Sequence, residues 1–488
     1  MSSTTTKERV DPEVVKVASV LIVGALAVVF DTTIVSVALR TLATELHTTV
    51  TTIQWVSTGY LLALGVTVPL AGWAQARFGG KRTWMVALTL FLLGSVLCSL
   101  AWDAPSLITF RIVQGVGGGL MLPLLQTLIM QAASGKNLGR TMSIVSLPTA
   151  LGPILGPVIG GIILNWLDWR WLFWVNVPFC VVGLFLAWRF LPKDAASAKP
   201  KLDVIGLVLL SPSLVGILYG LSNVTKSGGF GRADVLIPLL AGVVLLAAFA
   251  VYSIRMKGRA LVDVRLLARR PVASGTALMF LSGGALYGAM LLLPLYFQEV
   301  RGATPLVAGL FLVPQGVGTL FSRTLAGRLT DSIGARWVAV VGFAIVAIAT
   351  VPFAFATPTT NELYLMGALF VRGFGMGAVF IPIMTAAFIG LQRTDVPHAS
   401  ILTRISQQVG GSFGVALLAV ILEGAVASYA VPTLTNVAMA FNQAFWWCVG
   451  LSALAIIVAL ALPTAAKKAT SVPLATSDER NATVENRQ

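Results

Sequence analysis

"GWAQARFGGKR" at residues 72–82 and "GRLTDSIGARW" at residues 327–337 are two forms of one pattern. Gly72 falls on Gly327, Gly79 on Gly334 and Lys81 on Arg336, at an offset of 255. Two further matches follow in the same order. "QGVGGG" (114–119) falls on "RGFGMG" (372–377), and "GPILG" (152–156) on "GGSFG" (410–414), at an offset of 258. Three ordered matches at nearly one offset make the chain two copies of one unit, with an insertion between them.

The unit is built from apolar runs. The 488 residues are 57% hydrophobic and 11% charged, with a mean hydropathy of +0.87. A soluble domain carries about 25% charged residues. Only helices or closed barrels satisfy every backbone group in lipid, and the runs lack the period-2 alternation of a barrel. The fold class is therefore an all-α polytopic membrane protein. Fourteen runs are long enough to span: 17–39, 53–75, 83–101, 106–129, 141–163, 170–191, 203–222, 235–255, 272–297, 305–327, 336–356, 362–390, 400–424 and 440–462. Spans 1–6 match spans 9–14, so spans 7 and 8 are the insertion. The expected organisation is a tail (1–16), a six-helix half (17–191), a linker with two inserted helices (192–271), a second six-helix half (272–463) and a disordered tail (464–488). Parallel halves related about the membrane normal describe a transporter architecture with its substrate site between the halves.

Charge orients the chain. The net charge of +15 resides mostly in short loops, which argues against nucleic acid as partner. One set of loops and both tails hold roughly 26 Lys and Arg, against about 5 on the other side, so the rich side is expected to be cytoplasmic. An even span count places both termini there. Trp166, Trp169, Trp171 and Trp174 cluster at the other interface, as an aromatic belt does. Cys98, Cys180 and Cys448 lie within apolar runs without disulfide or metal spacing, and His47 and His398 are isolated, so no metal site is expected. The first run is too long for a signal-peptide core and is read as an uncleaved span.

Polar residues inside the runs are the functional candidates. Asp31, in "FDTTIVSV" (30–37), is the one acidic residue of the apolar run 17–39. A charged Asp at a helix centre costs about 2.5–3.5 kcal/mol, and such residues mark ion or proton paths. Span 1 runs outward, placing Asp31 ~12 Å below its outer end, and span 4 runs inward, placing Arg111 ~8 Å below the same surface. The two depths permit contact. The pair is either a proton-coupling device or a fixed bridge between spans 1 and 4. Arg372 occupies the repeat position of Gln114 and is a second intramembrane cation, while Arg323 lies near the inner end of span 10. Gln54, Tyr60, Gln126, Tyr287, Tyr296, Gln298 and Gln315 are candidates, with Arg372, to line a substrate cavity, or else to bridge helices. Gly152, Gly156, Gly160 and Gly161 permit close helix packing, and Pro153 and Pro157 favour a kink. Arg77, Lys81 and Arg82 serve as positive-inside anchors and as a candidate gate latch.

These motifs resemble the major facilitator superfamily, in particular its fourteen-helix drug:proton antiporter branch (the EmrB/QacA type), over about residues 15–465. "FDTTIVSVALRTL" resembles that branch's span-1 signature, "GWAQARFGGKR" the loop G-x-L-A-D-R-x-G-R-K, "RIVQGVGGG" (111–119) the R-x-x-Q-G motif, and "GPILGPVIGG" (152–161) the antiporter motif. The resemblance implies proton coupling through Asp31 and Arg111. It implies gating by loop residues Gly72, Arg77, Gly79, Lys81 and Arg82 and by their repeat partners Gly327, Asp331, Gly334 and Arg336. It implies a helix bend at the 152–161 motif. Where the family has Asp and Arg, this chain has Ala76 and Gly80, which shifts the latch toward Asp331. The implied partners are a small-molecule substrate, protons and the bilayer, with no cofactor beyond protons, in a monomer of the bacterial cytoplasmic (inner) membrane. The leading expectation is proton-coupled export by alternating access. Dedicated export of one metabolite, antibiotic or lipid uses the same machinery. A ligand sensor without transport is a further reading, and the span-5 pattern and fourteen spans count against import by symport. "GGKRT" and "SGKNL" fail the phosphate-loop pattern, so ATP is not the expected drive, and no catalytic cluster marks an enzyme.

Overall fold

The computed structural model describes residues 11–48, 50–133, 147–194, 200–224, 231–256, 260–392, 394–429 and 433–463. Asp11 opens the first helix: its carboxylate accepts the Glu13 N–H at 2.8 Å, and Pro12 fills the first turn, where a missing N–H costs nothing. The helices are α1 (Pro12–Glu45), α2 (Val50–Thr67), α3 (Leu70–Phe78), α4 (Gly80–Ser99), α5 (Ala104–Ala133), α6 (Leu147–Trp166), α7 (Trp171–Trp174), α8 (Asn176–Phe190), α9 (Val204–Asn223), α10 (Ala233–Arg255), α11 (Arg270–Glu299), α12 (Pro305–Phe311), α13 (Val313–Ile333), α14 (Ala335–Ala354), α15 (Glu362–Ala387), α16 (Val396–Ala427) and α17 (Leu434–Ala459). No strand occurs among the described residues.

Eleven of these helices, with α7 and α8 taken together, are long and apolar enough to cross a membrane. The count is twelve when α2 and α3, bent by 53° at the Val68–Pro69 break, count as one span. This is fewer than the fourteen expected. The expected span 305–327 is broken into α12 and α13, and α13 carries Arg323, Arg328 and Asp331. The first helix also begins earlier than expected, at Pro12. Of the four clustered tryptophans, Trp166, Trp171 and Trp174 are exposed and Trp169 is buried. The 464–488 tail lies outside the described residues.

The repeat is written into the backbone. Gly79 (φ 91°, ψ 160°) ends α3 and starts α4, and Gly334 (φ 92°, ψ 155°) ends α13 and starts α14. Both need positive φ, which glycine adopts without steric cost. The packing repeats as well. Gly115 and Gly119 of α5 lie against the Tyr60 and Leu64 carbonyls of α2, while Gly373 and Gly377 of α15 lie against the Gln315 and Thr319 carbonyls of α13. A Cβ at any of the four would collide with those backbones. Likewise α6 meets α1 through Gly152 and Gly156, and α16 meets α11 through Gly410 and Gly414. Small residues let helices approach where lipid supplies no hydrophobic drive.

The inserted pair α9–α10 packs through Gly216, Gly220 and Gly242 and leans on α2, where Ser211 Oγ donates to the Val66 carbonyl at 2.9 Å. Asp203 ties it down, accepting from Gly206 N–H, Tyr252 Oη and Leu261 N–H at 2.7–2.8 Å. Beyond it, Arg265 donates to Asp263 from its side chain, holding that carboxyl below the usual carboxylate range.

The halves touch at both ends. At the Gly79/Gly334 end, Gly72 lies against Pro397 and Ile401, Gln126 Nε2 reaches Met384 Sδ at 2.6 Å, and Ser400 Oγ donates to Gln126 Oε1 at 3.0 Å. At the other end α12 lies against α6.

A Gly156→Val variant forces its new side chain into Thr33. It is expected to lose about 1–3 kcal/mol of stability through overpacking, read as a lower melting temperature and yield. Gly424→Ala, where a Cβ meets nothing within 4 Å, is expected to leave both unchanged.

Candidate functional site

Asp31 is fully buried midway along α1. Burying a carboxylate demands a counter-charge and a full set of donors. Both are present. Arg111 Nη1 lies 2.6 Å from Asp31 Oδ2, the contact that the two depths permit. Asp31 Oδ1 accepts from Gln114 Nε2 and from Asn176 Nδ2, each at 3.0 Å. Ser95 Oγ accepts from the same two amides at 3.2 and 3.0 Å and donates to the Phe173 carbonyl. Five elements thus converge on one carboxylate: α1, α4, α5, α7 and α8.

Arg111 is held as completely. Its Nη1 also donates to Gln114 Oε1 at 2.7 Å, and its Nε donates to the Val56 carbonyl at 3.2 Å. Its guanidinium carbon lies 4.1 Å from the Tyr60 ring centroid, an attractive cation–π geometry in a dry site. Two buried polar atoms beside the pair make no hydrogen bond: Asn176 Oδ1 and Tyr60 Oη.

The loop residues form a helix-capping site. Asp194 accepts Lys81 N–H at 2.8 Å and Arg82 N–H at 3.0 Å, placing a carboxylate at the positive start of α4. Lys81 Nζ donates to the Trp188 and Leu191 carbonyls at 2.6 and 3.0 Å, at the end of α8. Arg77 lies in the last turn of α3. In the second half, Arg336 Nε donates to the Leu462 carbonyl at 2.6 Å, Gly327 is buried, and Asp331 is exposed near the end of α13.

The 152–161 motif lies on α1 beside Asp31. Gly152 meets Val29 and Gly156 meets Thr33, two residues either side of the carboxylate, and Thr33 Oγ1 donates to the Gly152 carbonyl at 3.1 Å. The helix runs unbroken from Leu147 to Trp166; Gly160 is buried and Gly161 half-buried, and the side chains of Pro153 and Pro157 lie outside the described residues.

The expected substrate-contacting residues are not brought together. Tyr60 belongs to the Arg111 site. Tyr296 is enclosed by Phe297, Phe353, Phe441 and Phe445 and donates to the Thr357 carbonyl at 3.1 Å. Arg372 is buried and donates to Gln315 Oε1 at 2.9 Å, and to Thr350 Oγ1 and the Ala285 carbonyl at 3.2 Å. Gln126 joins the two halves. Tyr287 is partly exposed against Gly411, Gln298 is half-buried near the end of α11, and the Gln54 side chain lies outside the described residues. Two clefts, of about 550 Å³ between α11 and α16 and about 420 Å³ among α2, α9 and α10, are lined by none of these residues.

The family model described as the Major Facilitator Superfamily matches residues 21–415. The chain belongs to the major facilitator superfamily. The transporter is 37% identical over 417 residues to "Multidrug resistance protein B homolog" of Mycobacterium tuberculosis, covering 85% of this chain and 77% of that protein. It is 30% identical over 415 residues to "Lincomycin resistance protein LmrB" of Bacillus subtilis, covering 85% and 86%. Its fold matches a solved structure of the proton:xylose symporter XylE with a TM-score of 0.63, at 15% identity, over 92% of this chain and 95% of that one. Membership makes it a membrane transporter of small molecules, which is not an enzyme class.

Sequence reading found the transporter's charge pair but not its partners. Gln114 stood in the R-x-x-Q-G stretch beside Arg111 and as the repeat mate of Arg372, but nothing marked it as a partner of Asp31. Ser95 and Asn176 are ordinary polar residues in apolar runs, and no spacing marks them. Asp194, in "LPKDA", looks like loop charge. Arg404, in the polar start of α16, carried no motif.

Removing one partner leaves a buried charge uncompensated, at a cost of about 3–5 kcal/mol. Arg111→Gln is therefore expected to destabilise the transporter strongly in thermal-melt assays, and adding Asp31→Asn to it is expected to restore part of the loss. Equal melts for all three variants would show that the pair carries no such constraint.

Proposed function

We propose that the transporter is a proton-coupled exporter of small amphipathic molecules, a drug:proton antiporter working by alternating access. The observation that carries this reading is the Asp31 site: a fully buried carboxylate paired with Arg111, with an unpartnered amide oxygen on a residue that already bonds it. As a carboxylate it has Arg111, Gln114 and Asn176 as donors. When it gains a proton, the ion pair dissolves, and the new O–H needs an acceptor. Asn176 Oδ1 is buried and unpartnered on the residue already bonded to Asp31. Released Arg111 keeps Gln114 Oε1, the Val56 carbonyl and the Tyr60 face. The carboxylate has its donors in place, and a turn of the Asn176 amide would offer the protonated form an acceptor, which a group that loads and unloads a proton requires and a fixed bridge does not.

The change has a route to the rest of the protein. Val29 and Thr33 flank Asp31 and carry α6, and α6 is the helix that meets α12 and α13 of the other half. Rearrangement at Asp31 alters the seat of α6 and hence the contact between halves. The Gly79 and Gly334 turns face the cytoplasm in this reading, as do both termini, in a bacterial cytoplasmic membrane. Adding α6 and the broken α12–α13 to the twelve apolar spans gives fourteen, which fits the drug:proton antiporter branch with α9–α10 as the insertion. The capping of α4 by Asp194 fills a place at the loop where Ala76 offers no acid, with Asp331 serving the second half. A monomer contains the whole site, and each charge crossing 100 mV supplies about 2.3 kcal/mol. Export rather than import is supported by the resistance named for the mycobacterial and Bacillus relatives.

The test is efflux of preloaded ethidium from bacteria lacking their own major pumps, with wild type, Asp31→Asn and wild type plus a protonophore at matched expression. Fast wild-type efflux that falls to the background of empty cells in both other arms is expected. Efflux intact in Asp31→Asn but lost with protonophore would remove Asp31 from the coupling. Efflux that survives the protonophore would remove proton coupling itself.

A further inference from the structure

Arg404 lies on α16, eight residues from Val396 and so about 12 Å along the helix. Its neighbours on one helical face are Pro397, Ser400, Ile401 and Gln408. All four meet the first half: Pro397 and Ile401 at Gly72, Ser400 at Gln126, and Gln408 at Gly65. Arg404 is thus directed at the plane between the halves, within electrostatic reach of Tyr60 beneath the Asp31–Arg111 pair. Its Nη1 donates to Gln407 Oε1 at 2.9 Å, while its Nε is buried and makes no hydrogen bond. Among the described residues no carboxylate lies within 4.0 Å of it.

The charge balance of the interior makes this notable. Among the described residues the buried charged side chains include the pair Asp31 and Arg111 and, in the second half, Arg372. Asp31 and Arg111 neutralise each other. Arg372 is held by neutral acceptors only. Arg404, half-buried on the face turned to the first half, is likewise held by a neutral acceptor, Gln407, and a cation set against a low-dielectric interior without a counter-charge is costly. An anion arriving between the halves supplies what is lacking.

We propose that Arg404 is the anion-recognition group of the site between the two halves, and that the substrates include amphipathic carboxylates. The planar guanidinium matches a carboxylate in charge and geometry, and Arg404 carries that charge with only the Gln407 amide oxygen as its hydrogen-bond acceptor among the described residues. The Gln408 amide, one turn on, is a neutral donor beside it. Binding is a property of the site alone; that the bound anion is exported rests on the reading above.

The probes are dansylsarcosine, an apolar ring with one carboxylate, and its methyl ester, the same body without the charge. Binding to the purified full-length transporter in nanodiscs is read by dansyl fluorescence, with empty nanodiscs subtracted. Wild type is expected to bind the acid about ten-fold more tightly than the ester, as one charge-assisted hydrogen-bonded contact implies. Arg404→Gln is expected to abolish that preference while leaving ester binding unchanged, and Arg404→Lys to keep part of it. If Arg404→Gln fails to fold, the Lys variant and the weakening of acid binding between low and high salt in wild type provide the same readout. Equal binding of acid and ester by wild type, or equal loss of both in Arg404→Gln, overturns the proposal. Proteoliposome efflux of the acid is then measured separately. Charge-dependent binding without efflux leaves the anion site standing and counts against export.

Discussion

One buried carboxylate sets the terms for the first half of this protein. A charge cannot be left bare in a low-dielectric interior. Asp31 therefore draws in Arg111, Gln114, Asn176 and, through the amides, Ser95. Those residues come from helices far apart in sequence, so satisfying the carboxylate also fixes how five elements meet. In the proposed coupling, the same arrangement makes the site responsive. A structure organised around a charge must reorganise when that charge is neutralised, and only side chains with a second set of partners allow this without unfolding.

Glycine supplies the second constraint. In lipid, helices gain little from hiding apolar surface, so contact depends on shape. Gly115 and Gly119 bring α5 onto the backbone of α2, and Gly373 and Gly377 repeat this for α15 on α13. Gly152 and Gly156 place α6 directly on the segment that carries Asp31. Charge and packing are therefore coupled at one place. The helix bearing the titratable group is also the one whose small-residue seat holds the helix that meets the other half.

The repeat was legible because its markers are backbone requirements. Gly79 and Gly334 share positive φ, and the glycines that face carbonyls cannot be exchanged for larger residues without collision. The Asp31–Arg111 contact was legible because two opposite charges at matched depths in apolar helices have few other solutions. The remaining partners were not, since Ser95 and Asn176 look like any polar residue in a span until the fold brings them together, and the motif that holds Gln114 does not say what it bonds. Apolar content alone does not show where a run bends or breaks. The 305–327 run is two helices broken at Leu312, and the 53–75 run bends at Pro69. The cavity candidates were chosen by residue type, and type does not say whether a tyrosine faces an opening or, like Tyr296, sits in an aromatic cluster.

The central claim is that Asp31 exists in two protonation states, each accommodated by the same neighbours. Infrared difference spectroscopy on the purified protein, between neutral and acid pH, tests this without a substrate. A protonated-carboxyl stretch should appear on acidification, vanish in Asp31→Asn and shift in Asn176→Ala, where the acceptor for the new O–H is removed. If that band is identical in wild type and Asp31→Asn down to the pH at which the protein unfolds, Asp31 is a permanently charged structural ion and the account is wrong.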